Sequence, residues 1–207
     1  MQFMTRRRVT ALWVLPIVLA GFFLSQSQAA DPSSAATAYF AGGCFWCMEE
    51  AFEKVPGVTA VVSGYMGGRV ENPSYEQVSA GGTGHAESVE VVYDPAKVNY
   101  ATLLDAFWHN VDPVTPNAQF CDHGSQYRAV IFFQGEEQKR LAEESKRAIE
   151  QSQRLTHSIV TELTKASQFY PAEEYHQDFY KKNPIRYKFY KFNCGRVQRL
   201  EEVWGAR

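Results

Sequence analysis

Short apolar runs of strand character alternate along this chain with stretches of helical period. Residues 38–41, Ala-Tyr-Phe-Ala, predict a strand that runs into Gly42-Gly43. Across 44–55 apolar side chains fall at 44, 48, 52 and 55, a helical spacing closed by Pro56-Gly57. Residues 58–63 alternate and are β-branched, which predicts a second strand. The glycine-rich segment 64–84 carries turn formers at Gly67-Gly68, Asn72-Pro73 and Gly81-Gly82, and its length marks a functional loop with one helical turn at 75–79. A third strand is expected at 89–93, closed by Asp94-Pro95. After an Asn99 cap, 100–111 places Leu103, Leu104, Phe107, Trp108 and Val111 on one side of a helix that stops before Pro113. A strand at 127–133, a charged surface helix at 134–155 and a fifth strand at 158–163 follow. The remainder is aromatic and basic, with no clear period.

Strand–helix–strand–strand–helix–strand is the split βαβ order. The expected fold is therefore α+β: a ferredoxin-like, two-layer sandwich with an added helix and strand and an irregular C-terminal tail. No repeat or linker divides it, so 38–207 reads as one catalytic domain after a flexible segment at 30–37. Residues 1–29 read as a cleaved secretory signal. Arg6-Arg7-Arg8 precedes sixteen uncharged residues, 9–24, and Ser27-Gln28-Ala29 has the small–x–small form of a cleavage site. The alternative is a retained anchor, but the stretch is interrupted by Pro16 and is short against the about 20 residues of a bilayer span. The expected location is periplasmic or secreted, with no stable membrane association after cleavage.

Composition narrows the function. Against 23 acidic side chains stand 21 basic ones, a formal charge of −2, so there is no polybasic footprint and nucleic-acid binding is not expected. At 45% hydrophobic and 14% aromatic the chain is not disordered. Export makes two structural disulfides from four cysteines conceivable. Yet Cys44 and Cys47 stand three apart while Cys121 and Cys194 are solitary, and the close pair reads as chemical.

Cys44 follows two glycines and opens a helix, where unpaired N–H groups favour a thiolate. It is a nucleophile candidate beside the aromatic surface of Phe45 and Trp46; the bland reading is a buried structural cysteine. Cys47, one turn on, invites comparison with Cys-x-x-Cys redox pairs. A zinc half-site would need a second close pair, and only Cys121-Asp122-His123 comes near. Glu87, in Gly84-His85-Ala86-Glu87, is either a solvated loop acid or a desolvated carboxylic acid able to donate a proton; the residues alone leave both open. Tyr75 in Asn72-Pro73-Ser74-Tyr75, and Asp122 to Arg128, look like turns as much as sites.

Taken together, these stretches resemble the methionine sulfoxide reductase A family, the peptide-methionine (S)-S-oxide reductases. The motifs are Gly-Cys-Phe-Trp at 43–46, Pro-Gly-Val at 56–58, Gly-Tyr-x-Gly-Gly at 64–68 and Asn-Pro-Ser-Tyr at 72–75. They continue with Thr-Gly-His-Ala-Glu at 83–87, Tyr-Asp-Pro at 93–95, Asp-His-Gly-Ser-Gln-Tyr-Arg at 122–128 and Glu-Glu-Tyr-His-Gln at 173–177. The resemblance implies that Cys44, as a thiolate, attacks the sulfur of the S-epimer of methionine sulfoxide, in proteins or free, and becomes a sulfenic acid. It implies that Glu87 is the acid, that Tyr75 and Tyr127 donate to the substrate oxygen, and that Asp122 is a polar partner near the sulfur. Gly43, Phe45, Trp46 and His85 are the implied substrate-binding positions. No cofactor or metal is implied; an intramolecular disulfide is reduced by a thioredoxin-like dithiol, and the protein is expected to be a monomer. The family's usual C-terminal recycling cysteine is missing, since 184–188 reads Pro-Ile-Arg-Tyr-Lys. Cys47 is then the first choice for recycling, Cys194 the alternative and Cys121 the third.

The tail 181–207 holds eight basic and two acidic residues, either solvated surface or a dock for an acidic donor. Two other readings compete with the reductase. One is a secreted Cys-x-x-Cys thiol–disulfide oxidoreductase, which leaves Glu87, Tyr75 and Tyr127 without a task. The other is a non-catalytic secreted module binding zinc or methionine-rich partners.

Overall fold

The structure is a computed structural model, and it describes residues 35–205. The signal sequence expected at 1–29 lies outside the described residues. Among the described residues no helix is long and apolar enough to cross a membrane.

Strand β1 (Ala36–Gly42) is followed by α1 (Phe45–Glu53), β2 (Val58–Met66), α2 (Tyr75–Ser79), β3 (Ala86–Tyr93) and α3 (Tyr100–Trp108). Then come a small hairpin of β4 (Ala118–Gln119) and β5 (Asp122–His123), a 3-10 turn (Ser125–Tyr127), β6 (Ala129–Phe133), α4 (Gly135–Gln151) and β7 (Glu162–Lys165). The chain closes with β8 (Tyr170–Pro171), α5 (Phe179–Lys182), α6 (Pro184–Asn193) and α7 (Arg196–Trp204). The main sheet runs β7-β6-β1-β3-β2-β8. Its inner four strands, β6-β1-β3-β2, pair antiparallel throughout, which is the split βαβ sheet expected from the sequence. Strand β7 adds in parallel beside β6 after α4, and β8 pairs with the outer edge of β2.

Side-chain alternation decides what each face covers. On β1, Ala38 and Phe40 enter the main core, while Tyr39 and Ala41 face a smaller cluster with Met66, Val130, Phe132 and Phe169. Phe40 sits at the centre, its ring 4.8 Å from Phe52 of α1 and 5.3 Å from Phe107 of α3. Each buried phenylalanine of this kind contributes on the order of 1.5–3 kcal/mol of transfer free energy, so α1 and α3 are fixed to the sheet mainly by aromatic burial. Asn99 caps α3, its side chain accepting from Thr102 N at 2.9 Å, as its position before the helix predicts.

Two elements differ from expectation. The fifth strand begins at Glu162 rather than near 158, because 158–161 is occupied elsewhere. Val160 N donates to Pro113 O at 2.8 Å, and Lys146 Nζ donates to Thr161 O at 2.9 Å. The tail is helical, and most of its charge is spent internally. Lys191 pairs with Glu50, Lys181 with Glu53, Lys182 with Glu174 and Arg199 with Asp112, while Arg196 is buried over the Phe120 ring. A uniformly solvated basic face is thereby excluded.

Candidate active site

Cys44 stands at the N-cap position of α1, where the chain leaves β1 through a sharp bend. Gly43 makes that bend possible: its φ is +77°, and a Cβ there would lie 2.4 Å from the Gln119 side chain. Gln119 is held in turn by Asp112, accepting from its N–H at 2.9 Å and donating to its carbonyl at 2.7 Å. The β4–β5 hairpin is thus pressed against the cysteine turn.

Cys44 lines a small cavity of about 60 Å³ together with Phe45, Trp46, Tyr75, Glu87, Asp122, Tyr127 and Tyr190. The two side chains on which the sequence reading turns, Cys44 and Glu87, therefore share one hollow. Glu87 comes from the start of β3 and is 3% exposed. Its Oε2 accepts from Phe45 N at 3.0 Å, so a helix N-terminal amide that could have served the cysteine serves the carboxyl instead. Burial pushes the Glu87 carboxyl up to about 8, against the opposing pull of the Phe45 N–H; the nearby Asp122 and Cys47 charges push the same way as burial. At neutral pH it is mostly a carboxylic acid. Of the two readings the residues left open, the solvated loop acid is excluded.

The cysteines differ from expectation in two ways. Burial pushes the Cys44 thiol well up, with Cys47 and the Glu87 charge adding to the rise, a direction opposite to the one a helix start gives. Cys47 is pulled the other way, to about 6, first by Cys44 and then by the Arg196 and Lys191 charges, against its own burial. The pair therefore titrates as a unit, with one proton between two sulfurs. Cys47 is buried behind Cys44, beneath Tyr187, and does not line the cavity. The second difference is that Cys121 and Cys194, solitary in sequence, are joined by a disulfide while Cys44 and Cys47 are free.

Tyr75 and Tyr127 point into the same cavity as phenols. Burial and the Glu87 charge raise both, Tyr75 to about 12, so each keeps a proton to donate. Tyr75 opens α2, which Ser74 caps, and its N–H donates to Glu173 Oε1 at 2.8 Å. Asp122 is also raised by burial and accepts from the Tyr190 hydroxyl. Phe45 is buried, and Trp46 stacks on Phe179 at 3.7 Å, so the two rings make a fixed apolar wall.

Gly43 and His85, expected to bind substrate, do not line the cavity. Gly43 serves the backbone bend described above. His85 is buried and spends both ring nitrogens on the preceding loop: Nδ1 accepts from Gly68 N at 3.1 Å, and Nε2 lies 2.8 Å from Val70 O. Gly68 is required there, since a Cβ would come within 2.3 Å of that ring. His85 therefore shapes the loop before Glu87.

Several supporting residues carried no assigned role in the sequence. Within Glu-Glu-Tyr-His-Gln, Glu173 holds both Tyr75 N and the Tyr65 hydroxyl, and His176 Nδ1 accepts from Trp46 Nε1 at 3.1 Å. Gln177 bridges the backbone of Ser63 and Ala172. Arg128 donates to Gly84 O at 3.1 Å and Ser125 O at 2.8 Å, which ties the strand entry to the Glu87 turn. Tyr190 was missed as a lining residue. Its signal was an inward stripe 187, 190, 194 at helical spacing, hidden by equally apolar residues on the outer face.

The family model described as peptide methionine sulfoxide reductase matches residues 36–207. A peptide methionine sulfoxide reductase MsrA of Ligilactobacillus salivarius is 52% identical over 168 residues, covering 81% of this chain and 97% of the relative. The MsrA of Bacillus subtilis is 49% identical over 170 residues, covering 82% and 96%. Among solved structures, reduced Mxr1 from Saccharomyces cerevisiae aligns with a TM-score of 0.69 at 31% identity, over 75% of this chain and 89% of that one. Methionine sulfoxide reductase A of Corynebacterium diphtheriae aligns with a TM-score of 0.65 at 33% identity, over 75% and 79%.

Proposed function

We take as premise that the chain belongs to the peptide methionine sulfoxide reductase family and is an oxidoreductase of methionine sulfoxide, and we propose that it acts through Cys44, Glu87 and Cys47 on the S-epimer. The observation that carries this reading is the shared cavity: a cysteine sulfur and a neutral carboxylic acid meet within one aromatic-walled hollow.

The chemistry follows from what each group can supply. Sulfur(IV) is a soft electrophile and a cysteine sulfur a soft nucleophile. The Cys44 proton passes to the Cys47 sulfur, its neighbour one helical turn on with an oppositely shifted affinity for protons, as Cys44 attacks. Oxide is a poor leaving group, so the S–O bond breaks only as the oxygen is protonated. Glu87 supplies that proton, with Tyr75 and Tyr127 donating to the same oxygen. The balance is one thiol and one sulfoxide giving one sulfenic acid and one methionine. Cys47 then attacks the Cys44 sulfenic sulfur, which forms the Cys44–Cys47 disulfide and releases water. A thioredoxin-like dithiol restores both thiols and leaves with the disulfide.

Chirality follows from the fixed wall. With the methyl group against Phe45 and Trp46 and the oxygen toward Glu87, only one configuration at sulfur presents its back side to Cys44. The expected result is turnover of the S sulfoxide with dithiothreitol and none of the R form, read by chromatography of resolved epimers. Turnover of R alone, or of neither, contradicts the assignment. Cys47→Ser is expected to form one equivalent of methionine and stop; sustained turnover of that variant with a thioredoxin-type donor would remove Cys47 from recycling. Export belongs to the same proposal on the strength of residues 1–29, and an uncleaved cytoplasmic product would count against it.

A further inference from the structure

We propose that the Cys121–Cys194 disulfide is a positioning staple: it holds the Tyr190 hydroxyl against Asp122 in the wall of the Cys44 cavity, and it stays closed through the catalytic cycle. The inference deepens the reading of Cys44 above and rests on it.

Two links join the same two segments side by side. Cys121 and Asp122 are neighbours on the β4–β5 hairpin; Tyr190 and Cys194 stand one turn apart at the end of α6. The disulfide spans 73 residues of sequence with a Cα–Cα distance of 4.8 Å, and Asp122 accepts from Tyr190 in parallel with it. The Cys121 sulfur lies 3.7 Å from Asp122 Oδ1, so the covalent and hydrogen-bonded links are in contact. Among the described residues Tyr190 is the only one of the tail that lines the cavity with Cys44, and there its hydroxyl donates to Asp122. It therefore joins Tyr75 and Tyr127 as a third phenol at the reacting centre.

The bridge acts together with the buried Arg196, which lies over Phe120 two residues beyond Cys194, to hold the end of α6. Its outer face is unpacked, with Ile185 86% and Phe192 83% exposed. Further along the helix Glu50 of α1 accepts from Tyr187 and Lys191, and the Tyr190 ring stands edge-on to Trp46 at 5.8 Å. A cross-link between distant segments removes disorder that a single hydrogen bond leaves in place. Bridge closed and Cys44–Cys47 reduced is also the state in which both nucleophile and recycling thiol are ready while the staple is intact.

Four enzymes test this: wild type, Cys121→Ser/Cys194→Ser, Tyr190→Phe and the triple variant. Each is assayed on the S sulfoxide with a thioredoxin-type donor, and the alkylation of Cys44 is followed against pH by mass spectrometry. The expected result is a roughly tenfold fall in kcat/KM for the bridge variant and for Tyr190→Phe, with the triple variant no worse than either. In both single classes the pH at which Cys44 becomes reactive moves upward, because the same hydroxyl has been withdrawn, whereas a purely structural bridge would lower thermal stability alone. Disulfide mapping after one turnover shows a new Cys44–Cys47 bond with Cys121–Cys194 intact. Losses that multiply in the triple variant overturn the proposal, as does a bridge variant with unchanged kcat/KM. A bridge variant that makes one equivalent of methionine and stops would make the pair a recycling couple instead, and also overturns it. If the bridge variant fails to fold, Tyr190→Phe decides: unchanged kcat/KM and an unmoved Cys44 profile overturn the role of the hydroxyl. None of these outcomes touches Cys44→Ser, whose failure would be a failure of the underlying reading.

Discussion

Cys44→Ser is expected to abolish methionine formation, with a loss of at least about 10⁴-fold even in a single turnover. A serine oxygen cannot be oxidised by the sulfoxide, so no sulfenic acid forms and Cys47 has nothing to attack. The variant separates chemistry from folding cleanly. Residue 44 is the N-cap of α1 and makes no side-chain capping bond, and serine is among the best residues for that position. Thermal stability is therefore expected to hold or rise slightly while activity disappears. Methionine release measured under excess enzyme checks the first half, and a melting curve the second.

Glu87→Gln is the second large effect, an expected loss of about 10²–10⁴-fold in kcat/KM. Glutamine keeps an oxygen to accept from Phe45 N–H, so the turn survives while the proton is lost. The pH dependence discriminates further. Wild-type activity is expected to fall as pH rises through about 8, where the buried carboxyl ionises, and the variant to lack that limb. Stability falls over the same range. A carboxyl raised from 4.5 to about 8 in the folded state contributes stability that is complete below its ordinary value and is lost as pH rises through about 8. Glu87→Gln, which cannot ionise, is therefore expected to melt above wild type at pH 9. A wild type that melts higher than the variant at that pH, or one whose activity is flat from 6 to 9, contradicts a neutral, desolvated acid.

Much of the fold was legible because local and tertiary signals agree. Asn99 before an amphipathic run, Ser74 before a single helical turn and alternation around Phe40 each have one cheap solution, and the structure adopts it. The tail was illegible because α6 carries aromatic and aliphatic residues on both faces. Tyr187 packs inward while Ile185, Phe189 and Phe192 stay exposed, which erases the helical period. The site divides in the same way. Cys44 stood out by residue type after two glycines at a helix start, whereas Glu87, Tyr75 and Tyr127 were singled out only by the family resemblance, and the structure brings all four to one cavity. What holds them was not legible: His85 bracing the Gly68 loop, Glu173 on Tyr75 N and the Cys121–Cys194 bond all depend on contacts between distant segments. Protonation also escaped the sequence. A cysteine at a helix start suggests a thiolate, but burial pushes its proton affinity the other way and a carboxyl takes the first amide.

The central claim is that Cys44 takes up the sulfoxide oxygen with a proton from Glu87. Its most direct test is to trap the sulfenic acid with a cyclic diketone during one turnover of Cys47→Ser, with Glu87 intact and with Glu87→Gln. The account predicts one adduct on Cys44 per methionine formed, and almost none in the glutamine background on the same timescale. An adduct on another residue, methionine without any adduct, or equal trapping in both backgrounds would contradict it.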